Sequence, residues 1–212
     1  MGLRAEKKAA TRGRIADTAW TLFADRGFDQ VTVAQIADVA RVSPATVFNY
    51  FDSKEDLLFD RLDQFGHDLV DAVAGRPAGE SVLAAFRRRL FASGGLLAQL
   101  DGGDPRALDR LRTVNRIIAD SPALRAREQL SLTRIADALA ERLATEGNDP
   151  VVGRVVAHAL MAVQQSLVLF VRETVLAGDV PRGFAARAAE LGAQAFAVLE
   201  DGLGDYGARR ET

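Results

Sequence analysis

The chain has 212 residues, of which 48% are hydrophobic and 26% charged, and its formal net charge is −2. This size and apolar content suffice for the core of one large or two small domains, and the near-neutral charge means that any attraction for nucleic acid must come from a local cluster. The absence of cysteine excludes disulfides, thiolate catalysis and thiolate metal sites.

The first predicted helix follows a basic N-terminal segment. Residues 1–14 contain one acidic side chain, Glu6, and five basic ones: Arg4, Lys7, Lys8, Arg12 and Arg14. Such a run is either a solvated tail or an arm that contacts phosphates, and the elements that follow favour the arm. An apolar stripe at helical spacing predicts a helix from about Lys8 to Arg26, which Gly27 ends.

The segment from Thr32 to Lys54 predicts two short helices across a tight turn. Thr32 caps the first helix, and Gln35 completes a capping box with it. Ser43 caps the second helix, and Pro44 takes its first position, where the missing N–H is no loss. The pattern is typical of a helix-turn-helix.

The helical register gives this motif an inner and an outer face. The inner face is apolar and packs the two helices together through Ile36, Ala37, Ala40, Val47 and Phe51. The outer face carries Ala45, Thr46, Asn49 and Tyr50. A rigid helix start that points outward is what reading the major groove requires.

Four segments occur in order: Phe23-Ala-Asp-Arg-Gly-Phe28, Val31-Thr-Val-Ala-Gln-Ile-Ala-Asp-Val-Ala40, Val42-Ser43 and Tyr50-Phe51-Asp-Ser-Lys54. Together they make residues 8–60 similar to the DNA-binding domain of TetR-family transcriptional repressors. Past residue 75 the resemblance is architectural only. It implies a ligand-responsive repressor that binds a palindromic operator as a homodimer and is released by a small effector.

The resemblance also assigns DNA contacts residue by residue. It places three side chains against base edges: Pro44, Ala45 and Asn49. It places five along the sugar-phosphate backbone: Ser43, Thr46, Tyr50, Lys54 and Arg41. Asparagine suits adenine, and residues 44–51 include no arginine or lysine for a bidentate contact to guanine, so we expect an operator core rich in A·T pairs.

Two positions depart from the family pattern. Arg41 stands where glycine is frequent in the turn, and a positive φ there would cost about 1 kcal/mol, which a phosphate contact would offset in function. Phe48 stands where tyrosine is frequent, so one phosphate contact loses its hydroxyl. Its spacing from Phe51 leaves both a core position and a contact position open.

The rest of the chain predicts further helices, and the fold is all-α. We expect nine helices in total, the later ones at 54–74, 80–100, 105–119, 122–146, 150–177 and 182–203, because prolines and glycines mark the breaks and no strand-like alternation occurs. The expected domains are a helix-turn-helix DNA-binding domain at 1–53 with a linking helix at 54–74, a helical effector-binding and dimerisation domain at 75–204, and a flexible tail at 205–212.

The C-terminal domain carries two further expectations. The last two helices form either a monomer core or, as the resemblance favours, a four-helix dimer interface through Val163, Phe170, Ala188, Gly192, Ala195 and Leu199. The resemblance also implies an enclosed effector, and the candidate residues are Arg112, Asn115, Arg116, Met161 and Gln165. Apolar neighbours with few acids indicate a hydrophobic or amphipathic effector.

Competing classes find little support in the sequence. His67 and His158 lie in no metal-binding spacing, and no glycine-rich phosphate loop is present, so we expect no enzyme activity, cofactor or metal site. Without a leader pattern or a run of eighteen apolar residues, we expect a cytoplasmic protein with no membrane partner. The alternative is a helical interaction or ligand-binding module without specific DNA binding.

Overall fold

The computed structural model describes residues 3–92, 105–178 and 180–203, and all regular structure in these ranges is helical. The nine helices described are α1 (Leu3–Arg26), α2 (Val33–Val39), α3 (Pro44–Phe48), α4 (Lys54–Ala74), α5 (Val82–Leu90), α6 (Pro105–Asp120), α7 (Pro122–Thr145), α8 (Pro150–Ala177) and α9 (Phe184–Leu203). The all-α prediction is confirmed.

Most helix boundaries lie within a few residues of the predicted ones. The exceptions are α1, which begins at Leu3 rather than near Lys8, and α5, which ends at Leu90 rather than near residue 100. Phe91 caps the end of α5, and the paired glycines Gly94 and Gly95, which disfavour helix, follow shortly afterwards in the sequence. The remainder of the predicted 80–100 helix and the predicted tail lie outside the described residues.

The chain divides into two compact units. The first comprises Met1–Leu62 together with Asp109–Glu128, and the second comprises Asp63–Leu108 together with Gln129–Thr212. The sequence-based division assigned all of residues 75–204 to the C-terminal domain. The segment Asp109–Glu128 belongs to the first unit because its apolar side chains enter the N-terminal core.

The core of the first unit is one continuous apolar cluster. Its members from α1 to α4 include Ile15, Phe23, Ile36, Val47, Phe51 and Leu57, and its members from α6 and α7 are Val114, Ile118 and Leu124. Two ion pairs reinforce the same attachment: Arg110 Nε lies 3.2 Å from Asp25 Oδ1, and Arg127 Nη2 lies 2.8 Å from Asp56 Oδ1. The helix-turn-helix therefore shares its core with a distant part of the sequence.

The Asp56–Arg127 pair is partly withdrawn from water. Burial disfavours the carboxylate of Asp56, but hydrogen bonds from Arg127 and Ser53 outweigh this effect and hold its pKa below the ordinary value of 3.8. Asp56 is therefore a carboxylate at neutral pH, and its charge stabilises the attachment of α7 to α4 within the first unit.

The second unit is built on the packing of α8 against α9. Gly192 allows the close approach, because a Cβ at this position would collide with the ring of Phe91 and would lie 3.1 Å from Leu167 Cδ1. By length and composition alone α8 could cross a membrane, but its inward face, including Leu160 and Val175, is buried within the protein. α8 is therefore a core helix of the second unit.

Candidate nucleic-acid interface

The two predicted helix caps of the helix-turn-helix are both formed. Thr32 Oγ1 accepts a hydrogen bond from Gln35 N at 3.2 Å, and Thr32 N donates to Gln35 Oε1 at 2.9 Å. Ser43 Oγ accepts from Thr46 N at 3.0 Å and lies 2.8 Å from Thr46 Oγ1. These bonds fix where each short helix begins, as the sequence predicts.

The turn between α2 and α3 is a Schellman motif. Val42 N donates to Ala37 O at 2.9 Å, and Arg41 N donates to Asp38 O at 3.0 Å. This motif requires the left-handed conformation at its central residue, and Arg41 has φ 54°. Arg41 is the one non-glycine residue with a positive φ in the described part of the chain, and its side chain is exposed.

The outer face of α3 is exposed as the register predicts. Val47 and Phe51 are buried against α2, while Pro44, Ala45 and Asn49 are exposed. The predicted backbone-contacting residues Thr46 and Tyr50 are half-buried, and Ser43 is exposed. The three candidate base readers therefore share one accessible surface at the start of a helix whose position is fixed.

Phe48 lies on this same surface. Its side chain is 55% exposed. Of the two positions that the sequence left open, core and contact, Phe48 therefore does not occupy the core position. It stands one turn after Pro44 and Ala45 and directly beside Asn49.

Lys54 has a different environment from the expected one. Its Nζ donates to the carbonyl oxygens of Phe28 at 2.9 Å and Val31 at 3.3 Å, and it lies 4.1 Å from the centroid of the Phe28 ring. The resemblance assigned this lysine to the sugar-phosphate backbone, and a cation at the start of a helix is unfavourable without a compensating partner. The two carbonyl oxygens and the Phe28 ring stabilise the charge of Lys54 at the start of α4. A phosphate would have to compete with these contacts for the ammonium group.

Arg12 is a positioning residue that the sequence analysis missed. It was counted only as part of the basic arm, yet its Nε donates to Asp60 Oδ1 and its Nη1 donates to Tyr50 O, both at 2.8 Å. Its guanidinium also lies 4.4 Å from the centroid of the Phe51 ring. Arg12 therefore ties α1 and α4 to the segment that follows α3, while Lys7, Lys8 and Arg14 remain exposed.

The helix-turn-helix segment matches a known protein family. The family model described as bacterial regulatory proteins, tetR family, matches residues 15–60, which span α1 to the start of α4. Residues 15–60 therefore form a helix-turn-helix domain of the tetR-family type. Two curated relatives are an HTH-type transcriptional regulator, TcmR of Streptomyces glaucescens, and an HTH-type transcriptional repressor, KstR2 of Rhodococcus jostii.

These matches cover less than half of this chain and less than half of each relative. TcmR is 36% identical over 85 residues, which are 40% of this chain and 38% of TcmR. KstR2 is 40% identical over 62 residues, which are 29% of this chain and 30% of KstR2. A solved SmeT–triclosan complex has the same fold over most of the chain, with a TM-score of 0.51, 18% identity and coverage of 88% of this chain and 91% of SmeT.

The candidate effector residues fall in both units of the chain. Arg112 pairs with Asp109 at 2.9 Å, Asn115 is buried and donates to Leu111 O at 2.8 Å, and Arg116 is exposed, all in the first unit. In the second unit Met161 is buried, and Gln165 Nε2 donates to Gln129 Oε1 at 3.1 Å. Gln164, which precedes Gln165 on α8, is 2% exposed, and its amide oxygen has no hydrogen-bond partner among the residues described.

The candidate dimer residues lie mostly inside their own chain. Val163, Ala188 and Gly192 are buried, Phe170 contacts the Phe184 ring at a centroid distance of 5.3 Å, and Ala195 and Leu199 are half-buried. Part of the small-residue ridge of α9 is thus used in packing within the chain, while Phe170, Ala195 and Leu199 stay partly accessible. The exposed apolar residues of these helices are Val151, Val152, Val155, Leu169 and Val198.

Within the described ranges, no group of three or more histidine or acidic side chains is placed to hold a metal ion. His67 and His158 are both exposed.

Proposed function

We propose that the chain is a cytoplasmic transcriptional repressor that binds a palindromic DNA operator as a homodimer and is released by a small hydrophobic or amphipathic effector. The observation that carries the proposal is the helix-turn-helix, whose capped, immobilised α3 presents Pro44, Ala45 and Asn49 to solvent. The description of KstR2 as a repressor supports the direction of regulation. The ligand in the SmeT complex supports an effector.

The homodimer is required by the small size of the reading surface. Each good base contact contributes about 1–3 kcal/mol of discrimination between base pairs, so a single copy reading one half-site distinguishes DNA sequences weakly. Two copies double this discrimination. Reading helices in two copies demand half-sites about one duplex turn apart. For the interface we propose the exposed apolar stripe of α8 and α9, where Val151 and Val198 are 72% and 74% exposed, in place of the buried ridge.

In this proposal residues 1–53 read DNA, 54–74 link, and 75–204 hold the effector and dimer surfaces, with Asp109–Glu128 supporting the reader's core. For the effector we retain Met161 and Gln165 and add Gln164, because a buried amide oxygen without a partner is costly unless a ligand or water satisfies it. Arg112, Asn115 and Arg116 are not retained, because they lie in the unit that holds the reader.

The DNA-binding part is tested by selecting duplexes from a random pool and measuring affinity by fluorescence anisotropy. We expect enrichment of an inverted repeat, and we expect Asn49→Ala to lose discrimination between site variants more than it loses non-specific binding. Gln194→Ala, an exposed amide on α9, is the control and should change neither. If no sequence is enriched, the alternative of a helical module without specific DNA binding stands.

The oligomeric part is tested by sedimentation equilibrium. Val155 is 59% exposed on α8, and Val155→Asp should give a monomer with weakened operator binding, whereas Leu130→Asp, at a similarly accessible apolar position on α7, should remain dimeric. A wild-type monomer that binds its operator normally would contradict the proposal.

The effector part is tested by thermal shift with triclosan and saturated fatty acids as probes. A compound that raises Tm should also release the selected operator, because a ligand shifts the equilibrium only through different affinities for the two states. Stabilisation without release would identify a ligand but contradict its role as effector.

A further inference from the structure

We infer that Phe48 reads the 5-methyl group of a thymine in each half of the operator. The inference rests on the proposed DNA-binding function and names a specificity residue within it. Among the exposed large hydrophobic side chains of the described residues, Phe48 is the one aromatic, and it is 55% exposed. Its ring is therefore accessible to a duplex that docks against the outer face of α3.

The position of Phe48 is fixed by the packing beneath it. Val47 before it is 1% exposed and Phe51 after it is 3% exposed, so both flanks of this residue are held in the core. The Ser43 cap fixes the start of the same helix through its bond from Thr46 N at 3.0 Å. Phe48 is therefore held in place on the exposed face, which is the condition for reading one base position.

The surface around Phe48 has few polar groups that could read a base edge. Ala45 stands at i−3 and Pro44 at i−4, and Asn49 supplies the one amide among residues 44–51. The hydroxyls of Ser43 and Thr46 are already bonded to each other at 2.8 Å. An apolar ridge of this kind can distinguish base pairs through one group of the major groove, the thymine methyl.

The remaining parts of the duplex fit a phenyl ring poorly. A phosphate is charged and strongly hydrated, and phenylalanine offers it no donor, so burying the ring there would remove water without a compensating bond. The nearby side chain that suits a phosphate is Arg41, which is exposed in the turn before α3. The ring and the guanidinium thus divide the recognition between base edge and backbone.

The experiment replaces each thymine of the selected operator with deoxyuridine, which keeps the pairing with adenine and removes only the methyl group. For the wild-type dimer we expect one symmetric position at which the replacement weakens binding, by about fourfold for one half-site and about fifteenfold for both, from the transfer of a single carbon group. Replacing thymines outside the reading surface with deoxyuridine should leave the affinity unchanged.

Variants of Phe48 assign the effect. Phe48→Ala should bind the thymine and deoxyuridine operators equally at that position, while Phe48→Leu, which keeps an apolar side chain, should retain part of the preference. Val39→Ala removes an apolar side chain that is 54% exposed on α2, and it should retain the full wild-type preference.

Three results would overturn the inference: no position is sensitive to deoxyuridine, the penalty persists in Phe48→Ala, or the selected half-sites contain no thymine. A persistent penalty would assign the methyl to Ala45 or Pro44. All three leave specific DNA binding intact, so they are distinguishable from failure of the proposed function, which would appear as no enriched sequence and would remove this inference with it.

Discussion

Arg41 combines backbone strain with a useful charge, and the two can be separated by substitution. Its φ of 54° is required by the Schellman turn, and a non-glycine residue in this region costs about 1 kcal/mol. Arg41→Gly removes that strain but gives the unfolded chain more freedom, which offsets about 0.4–1 kcal/mol of it, so the net gain in the free energy of unfolding should be at most about 0.6 kcal/mol. For a chain of this size the gain corresponds to a rise in Tm of at most about 2 °C.

The charge of Arg41 should act on DNA alone. A guanidinium that neutralises one phosphate in each copy contributes about 2 to the slope of log K against log salt for a dimer. Both Arg41→Gly and Arg41→Ala should therefore lower the slope by about this amount. Arg41→Lys should keep it, and Arg41→Ala should leave Tm unchanged because alanine keeps the strain.

Two measurements on these variants separate the backbone strain at Arg41 from its contact with phosphate. Thermal unfolding gives the strain, and operator binding between low and moderate salt gives the slope. If Arg41→Gly is less stable than Arg41→Ala, the turn does not store the expected strain. If both variants keep the wild-type slope, Arg41 does not contact phosphate.

Three further substitutions test the packing. Arg12→Gln should lower the free energy of unfolding by about 1–3 kcal/mol in chemical denaturation, since it breaks charge-assisted bonds in a half-buried setting, whereas the exposed ion pair of Arg61 should contribute less than about 1 kcal/mol. The lowered pKa of Asp56 contributes stability above its ordinary value of 3.8 that is lost as the pH falls through the lowered one, so Asp56→Asn should flatten the decline of Tm with acid between about pH 5 and 3. Gly192→Val should cost about 1–3 kcal/mol through overpacking, while Gly13→Ala, whose Cβ meets no atom within 4 Å, should not destabilise α1.

Each of these has a contradicting outcome. Equal losses at positions 12 and 61 would mean that the Tyr50 carbonyl contact is energetically idle. An unchanged acid profile in the Asp56 variant would mean that Arg127 stabilises through its ring contact with Phe59 rather than through charge. A tolerated valine at position 192 would show that the ring of Phe91 can move aside.

The features that could be predicted from sequence are those that depend on neighbours in the chain. The caps at Thr32 and Ser43 are satisfied within three residues, and prolines mark the starts of α3, α6, α7 and α8, so these elements followed from local rules. The environment of Arg12 depends on Asp60, which lies 48 residues away, and nothing in the basic cluster distinguishes this arginine from its neighbours. Only the folded chain shows which of the basic side chains is used internally.

The dimer surface stays a prediction, because the sequence pattern of α9 does not single out one face. Small residues occur on several sides of α9, since Ala188 is buried while Ala193 and Ala197 are exposed, so periodicity alone does not show which side packs inward. For Phe48, too, periodicity alone does not show whether the side chain is buried or exposed. A residue spaced to reach the core was left outside because α3 is five residues long and Val47 and Phe51 already fill its inner side.

The sharing of one core between α1–α4 and Asp109–Glu128 has a practical consequence for protein engineering. A fragment that stops near residue 60 would lack Val114, Ile118 and Leu124, and it would leave their apolar counterparts in water. Exchanging operator preference between homologous regulators by grafting the first sixty residues would therefore join mismatched halves of that core. A hybrid should fold well only when both stretches are transplanted as a pair.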